Sequence, residues 1–172
     1  MIEYTEKDYT NEFQDCVFFY GGWLSNWAPT RFRDNNGIEY NCSEQYMMRH
    51  KALLFNDQES VEKIMKADHP ATQKQIGRRV KGFIQEEWEM ISKKVVYQAC
   101  YYKFTQNPEA LEYLISTKGK LLVEASPTDC IWGIGLDEFD PLVSDRSNWK
   151  GTNWLGQVLT QLREDLILKE KK

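Results

Sequence analysis

A chain of 172 residues with 41% hydrophobic and 13% aromatic side chains is long enough to bury a core without staples and too apolar to be disordered. Its formal charge of −4 removes any overall electrostatic drive toward nucleic acid or anionic lipid, so a nucleic-acid contact has to be local and pocket-like. Four scattered cysteines without a CxxC pair and two histidines argue against a zinc site or a disulfide framework, so no metal is expected.

The polar, acidic N-terminus is unlike a signal peptide, and no apolar run approaches the roughly 18 residues that span a bilayer; a cytoplasmic protein with no membrane contact is the expectation. "CVFFYGG" reads as a short strand ending in a glycine turn, and "TRFRDNNGIEYNC" as a hairpin around Asn36 and Gly37. A helix follows from about Ser43 to Phe55. "DQESVEKIMKAD" predicts a second helix capped by Asp57, and "DHPATQKQIGRRV" a third, with Asp68 ahead of a proline near its first turn. Trp88, Ile91, Val95, Ala99 and Tyr102 recur at three-to-four spacing and predict a long helix, which Asn107-Pro108 ends. "PEALEYLIST" is a further helix closed by Gly119, and "KLLVEAS" a strand. The turn-rich segment from Pro127 to Asn153 is too long for a bland connection. A last amphipathic helix carries Leu155, Val158, Leu159, Leu162 and Leu166. The pattern predicts a mainly α fold: one compact helical domain over residues 1–172, core about 16–168, with a small β-hairpin and strand element near its start.

The helix from Ser43 poses the chemical question. Glu44, Met47, Met48, Lys51, Leu54 and Phe55 fall on one stripe at 100° per residue, so an acid and an amine share an otherwise apolar face. A buried charge without a partner costs several kcal/mol. Asn41-x-x-Glu44 could be a capping box, with Glu44 bonding back to the cap, and Lys51 could snorkel to solvent. Alternatively, the stripe is one wall of a polar cleft. Two turns span roughly 10.5 Å, and helical side chains lean toward the N-terminus, so Lys51 reaches back toward Glu44. An acid and an amine converging on one atom suit attack at an electrophilic carbon. Other signals are weaker. Arg78 and Arg79 could meet phosphate or be a solvated pair; "DCIWGIG" sets Asp129 and Trp132 beside glycines, as a turn or a close ligand approach.

These pieces in this order, "FFYGGWLSNWAP", "GIEYNCSEQYMMRHKALLF", "IGRRV", "KFTQN", "LLVEASPTDCIWGIG" and "GTNWLGQVLTQLRE", resemble the NADAR, or YbiA-like, family over roughly Phe18 to Glu164. The resemblance implies a helical fold and N-glycosidase activity without a cofactor. One set of members acts on ribosylamino-pyrimidine phosphate intermediates of riboflavin synthesis; another removes ADP-ribose from guanine. It implies that Glu44 moves the protons and that Lys51 attacks the anomeric carbon to form a Schiff base. It further implies that Trp88 and Trp132 line the pocket, that Asp129 orders its loop or holds a ribose hydroxyl, and that Gly133 admits backbone close to ligand. Asn26 and Asn153 would supply amide contacts, and Arg78 would meet a phosphate. The expected partner is an ADP-ribosyl or ribosylamine substrate, free or linked to nucleic acid, with modified single-stranded DNA among the forms; oligomeric state has no reading. Two rivals from other classes stand beside this: a non-catalytic module binding ADP-ribose or a related nucleotide, and an interaction protein whose aromatics face a partner.

Overall fold

The recurring three-to-four spacing of apolar residues produces a mainly helical protein. The computed structural model describes residues 2–170; the outermost positions of the expected 1–172 domain, residues 1, 171 and 172, lie outside the described residues. In chain order the elements are β1 (Cys16–Phe19), β2 (Phe32–Arg33), β3 (Glu39–Tyr40), α1 (Ser43–Leu54), α2 (Gln58–Lys66), α3 (Pro70–Gly77), α4 (Gln85–Gln106), α5 (Pro108–Ser116), β4 (Leu121–Glu124) and α6 (Trp154–Glu170). No helix among the described residues is long and apolar enough to cross a membrane. The chain forms two compact units, residues 26–108 and residues 1–25 with 109–172.

In the unit 26–108, β2 and β3 pair antiparallel, Phe32 opposite Tyr40 and Arg33 opposite Glu39. The turn between them is the expected one. Asp34 Oδ1 accepts the Asn36 and Ile38 N–H groups, and Gly37 supplies the positive φ. Helix α1 packs against α2, α3 and α4 at once. That central place explains why its buried face is wider than the predicted stripe: Gln45 and Tyr46, expected off it, are buried as well. Gln45 is tolerated there because its amide donates to Ile64 O at 3.1 Å and its Oε1 accepts from Asn41 N at 2.8 Å. Asp57 caps α2 as predicted, accepting the Ser60 N–H. The cap of α3 is His69 rather than Asp68; its Nδ1 accepts the Ala71 N–H across the proline at the first turn.

In the unit of residues 1–25 and 109–172, β1 and β4 pair parallel, from Cys16 opposite Leu121 to Phe19 opposite Glu124. Helix α6 lies on β4, and Leu155, Val158, Leu159, Leu162 and Leu166 are buried as their spacing predicts. Tyr9, Leu121, Val123, Ile134, Leu136 and Val143 form a core cluster in this unit. Arg163, fully buried on α6, donates to Thr117 O and Lys120 O and so satisfies carbonyls after α5.

Candidate active site

The start of α1 is held from outside the helix. Glu44 N–H donates to Asn26 O at 2.9 Å, satisfying one of the donors a helix leaves open in its first turn. Gln45, one residue further on, bonds back toward the helix start, its Oε1 accepting the Asn41 N–H, so that donor is not left for the capping box expected between Asn41 and Glu44. The reason is that the cap position itself lies at Cys42. Glu44 is 4% exposed at the helix's positive end, where a carboxylate is favoured. Asn26 is buried beside it, its Oδ1 3.9 Å from Cys100 Sγ.

Lys51, two turns on, is half-buried, and its ammonium lies 4.0 Å from the centre of the Phe83 ring. Burial holds its pKa below the ordinary lysine value; the Glu44 charge pulls it up and the Arg78 charge pushes it down. Glu44 and Arg78 are thus the two charges whose fields reach Lys51. Arg78 is exposed at the end of α3. Gly77 before it is what brings that end so close to α1: a Cβ there would lie 2.0 Å from Met48 Sδ. Phe83 is fixed through its chain neighbours. Lys81 N–H donates to Asp57 Oδ2 at 2.9 Å, Gly82 takes a positive φ, and the Phe83 ring meets Phe55 edge-on at 5.4 Å. Trp88 is buried near the start of α4.

Lys103 was not singled out in the sequence. It is 0% exposed on α4, and burial pushes its pKa down to about 8, against the upward pull of the Cys100 and Cys42 thiols. A signal existed: Val96, Cys100 and Lys103 continue one helical stripe, the same anomaly that drew attention to Glu44 and Lys51.

Asp129, Trp132, Gly133 and Asn153 belong to the other unit and are described within it. Asp129 orders its loop, Oδ1 accepting the Ile131 and Trp132 N–H groups. Trp132 is half-exposed, edge-on to Trp154 at 5.7 Å. Gly133 packs where a Cβ would sit 2.9 Å from the carbonyls of Asp129 and Glu124, so its close approach is to the chain's own backbone. Asn153 is buried; Oδ1 accepts from Glu124 N and Nδ2 donates to Leu122 O, both at 3.0 Å, tying the start of α6 to β4.

A neutral amine is a nucleophile and a protonated one is not. An acid two turns away on the same helix face can supply and retrieve the proton. This pairing suits addition of Lys51 to an electrophilic carbon.

Known proteins resemble this chain over most of its length. Residues 18–167 match the NADAR domain. The protein irg-1 of Caenorhabditis elegans is 46% identical over 137 residues, covering 78% of this chain; the chain spans only 64% of that protein's length. N-glycosidase R617 of Acanthamoeba polyphaga mimivirus is 40% identical over 161 residues, 87% of this chain and 95% of that one. The NMR structure of the E. coli protein YbiA superposes with a TM-score of 0.76 at 27% identity, covering 92% of this chain and 89% of that one.

Proposed function

The chain belongs to the NADAR family, and from that premise we propose that it removes ADP-ribose from ADP-ribosylated guanine, as nucleotide or in DNA. The coarser reading, a hydrolase of N-glycosyl compounds, rests on the family and on relatives named N-glycosidase. The observation that carries the mechanism is that Lys51 is held below the usual lysine range by burial while Glu44 and Arg78 are the two charges that act on it.

In the proposed sequence a proton passes to the ribose ring oxygen from Glu44, and the ring C–O bond opens to an iminium at C1. The neutral Lys51 amine adds to C1. Glu44 relays the amine's proton to the exocyclic nitrogen of guanine, whose bond to C1 breaks, leaving a Schiff base on Lys51. Water adds to this carbon, giving its proton to Glu44, and the carbinolamine collapses to release ADP-ribose and the free amine. The sum is one water consumed, one C–N bond cleaved and both side chains restored. Ordinary glycosidases use two carboxylates at this carbon; here the second group is an amine, which an exocyclic N-glycoside accommodates because the opened sugar is an iminium.

The test is incubation with ADP-ribosylated guanosine and, separately, with a ribosylamino-pyrimidine phosphate, with mass spectrometry of the released sugar. Borohydride in the same reaction is expected to leave a sugar adduct on Lys51. Release from the pyrimidine alone would move the substrate to the riboflavin intermediates. Binding of ADP-ribose with no release from either would make the protein a binding module and end the catalytic reading.

A further inference from the structure

Lys103 lies wholly out of solvent on α4, and the reaction above does not use it. An ammonium buried this way needs an opposite charge near it. Only two carboxylates of the unit 26–108 are buried, Asp57 and Glu44. Asp57 is engaged elsewhere: its oxygens accept from Ser60 N, Ser60 Oγ and Lys81 N at the start of α2. Glu44 lies on the helix that packs against α4. Its N–H bonds Asn26, whose side chain approaches Cys100, and Cys100 is one turn before Lys103. On the other side, the Cys42 thiol lies within the fields of both groups, Glu44 pushing its pKa up and Lys103 pulling it down.

We propose that Lys103 is the positioning residue for Glu44: α4 carries its ammonium beneath the first turn of α1, where it pairs with the Glu44 carboxylate and holds it ionised and oriented. The proposal deepens the reading above by fixing the charge with which Glu44 starts. An ionised Glu44 takes a proton from the Lys51 ammonium, giving a neutral amine and a carboxylic acid in one transfer. That acid then protonates the ring oxygen. Lys103 itself stays charged and does not touch substrate.

The experiment is a thermal-melting cycle on the full chain with Lys103→Met, Glu44→Gln and the double variant. Breaking a buried pair from one side is the costly change, and removing both sides is not. Lys103→Met alone is expected to lower the midpoint by roughly 10 °C, and by less than half as much in the Glu44→Gln background. Equal losses in the two backgrounds overturn the proposal. If Lys103→Met does not fold, the double variant is expected to recover a folded state, and a double variant that also fails overturns it.

A second readout separates positioning from mere support. In Lys103→Met the acid limb of hydrolysis is expected to move to higher pH, because a carboxylate without its cation protonates more readily. The other groups facing the pair are Cys42, Cys100 and Lys51, with Arg78 acting on Lys51. Both thiols are pushed up to about 11 and stay neutral in that window. A rate that falls at every pH with the limb unmoved overturns the positioning role. Coupled melting with no hydrolysis of either glycoside would leave the pair standing and remove the proposed function; uncoupled melting with hydrolysis would do the reverse.

Discussion

Gly156 is the third residue of α6, and replacing it with alanine tests how closely that helix lies on β4. A Cβ at this position would sit 2.0 Å from Leu122 O and 2.4 Å from both amide atoms of Asn153. An ordinary carbon–oxygen contact is about 3.3 Å, so the helix would have to retreat by about 1.3 Å. Three hydrogen bonds resist that movement: Asn153 to Glu124 N and to Leu122 O, and Leu122 N to Thr160 Oγ1. Overpacking costs about 1–3 kcal/mol, and each buried bond that opens costs about 1 kcal/mol or more. Alanine returns about 1 kcal/mol of helix propensity. The net is a loss of about 3 kcal/mol, which in a chain of this size lowers the melting midpoint by about 10 °C. Urea unfolding is expected to show a lower midpoint at unchanged slope. A variant as stable as the parent, or one stabilised by the better helix former, would show that α6 and β4 do not approach as described. Gly77→Ala is the milder comparison, because what it meets is the flexible Met48 side chain.

Glu44→Gln keeps the shape and removes the proton carrier, so turnover is expected to fall by about 100-fold or more while calorimetric affinity for ADP-ribose changes little; undiminished turnover ends the acid–base assignment. Arg78→Gln removes a charge that favours the neutral Lys51 amine. Its pKa then rises, and the pH at which borohydride trapping sets in is expected to move upward; a move downward contradicts the electrostatics described. The Lys81 N–H, followed by the Ser60 hydroxyl, holds the Asp57 carboxyl below the usual carboxylate range. A depressed carboxylate stabilises above its unfolded pKa of about 4 and loses that contribution as pH falls through the folded value. Asp57→Ala is therefore expected to unfold earlier in urea at pH 7, by about 1–2 kcal/mol for a lost cap, with the gap to the parent narrowing in acid. A gap constant with pH would refute the linkage.

Helices with an unbroken apolar stripe could be read from the chain directly, even where polar side chains are buried beside it. The four leucines and the valine of the α6 stripe are buried where their spacing put them. Helix α4 was harder, because its buried face includes Ser92 and Lys103 while Ile91 and Val95 stay partly exposed. Counting apolar residues alone misplaces such a seam by one residue. The same blindness hid Lys103, since a lysine is assumed to be solvated until packing shows otherwise. Glu44 and Lys51 drew attention because two charges interrupted one stripe, and Arg78 because it adjoins a second arginine. The pairing of β1 with β4 had no local signal: two apolar runs of four residues about a hundred positions apart carry no register. Gly133 reads from the sequence as room for a ligand, yet the backbone it meets is nearby in the chain, at Asp129 and Glu124; Gly156 carried no reading, because the Leu122 carbonyl it meets is distant in the chain.

The parallel pairing also has a bearing on biogenesis. Translation finishes the whole of residues 26–108 before the first residue of β4 emerges, and within that stretch β2 pairs with β3 and α1 packs on α2, α3 and α4. The other unit must wait, its N-terminal strand idle until a partner arrives after Lys120. Helix-rich local contacts form quickly and distant strand pairing slowly. The half that carries Glu44, Lys51 and Lys103 thus matures first on the ribosome, while Val17, Phe18 and Phe19 spend that interval as an unpaired sticky edge in need of shelter.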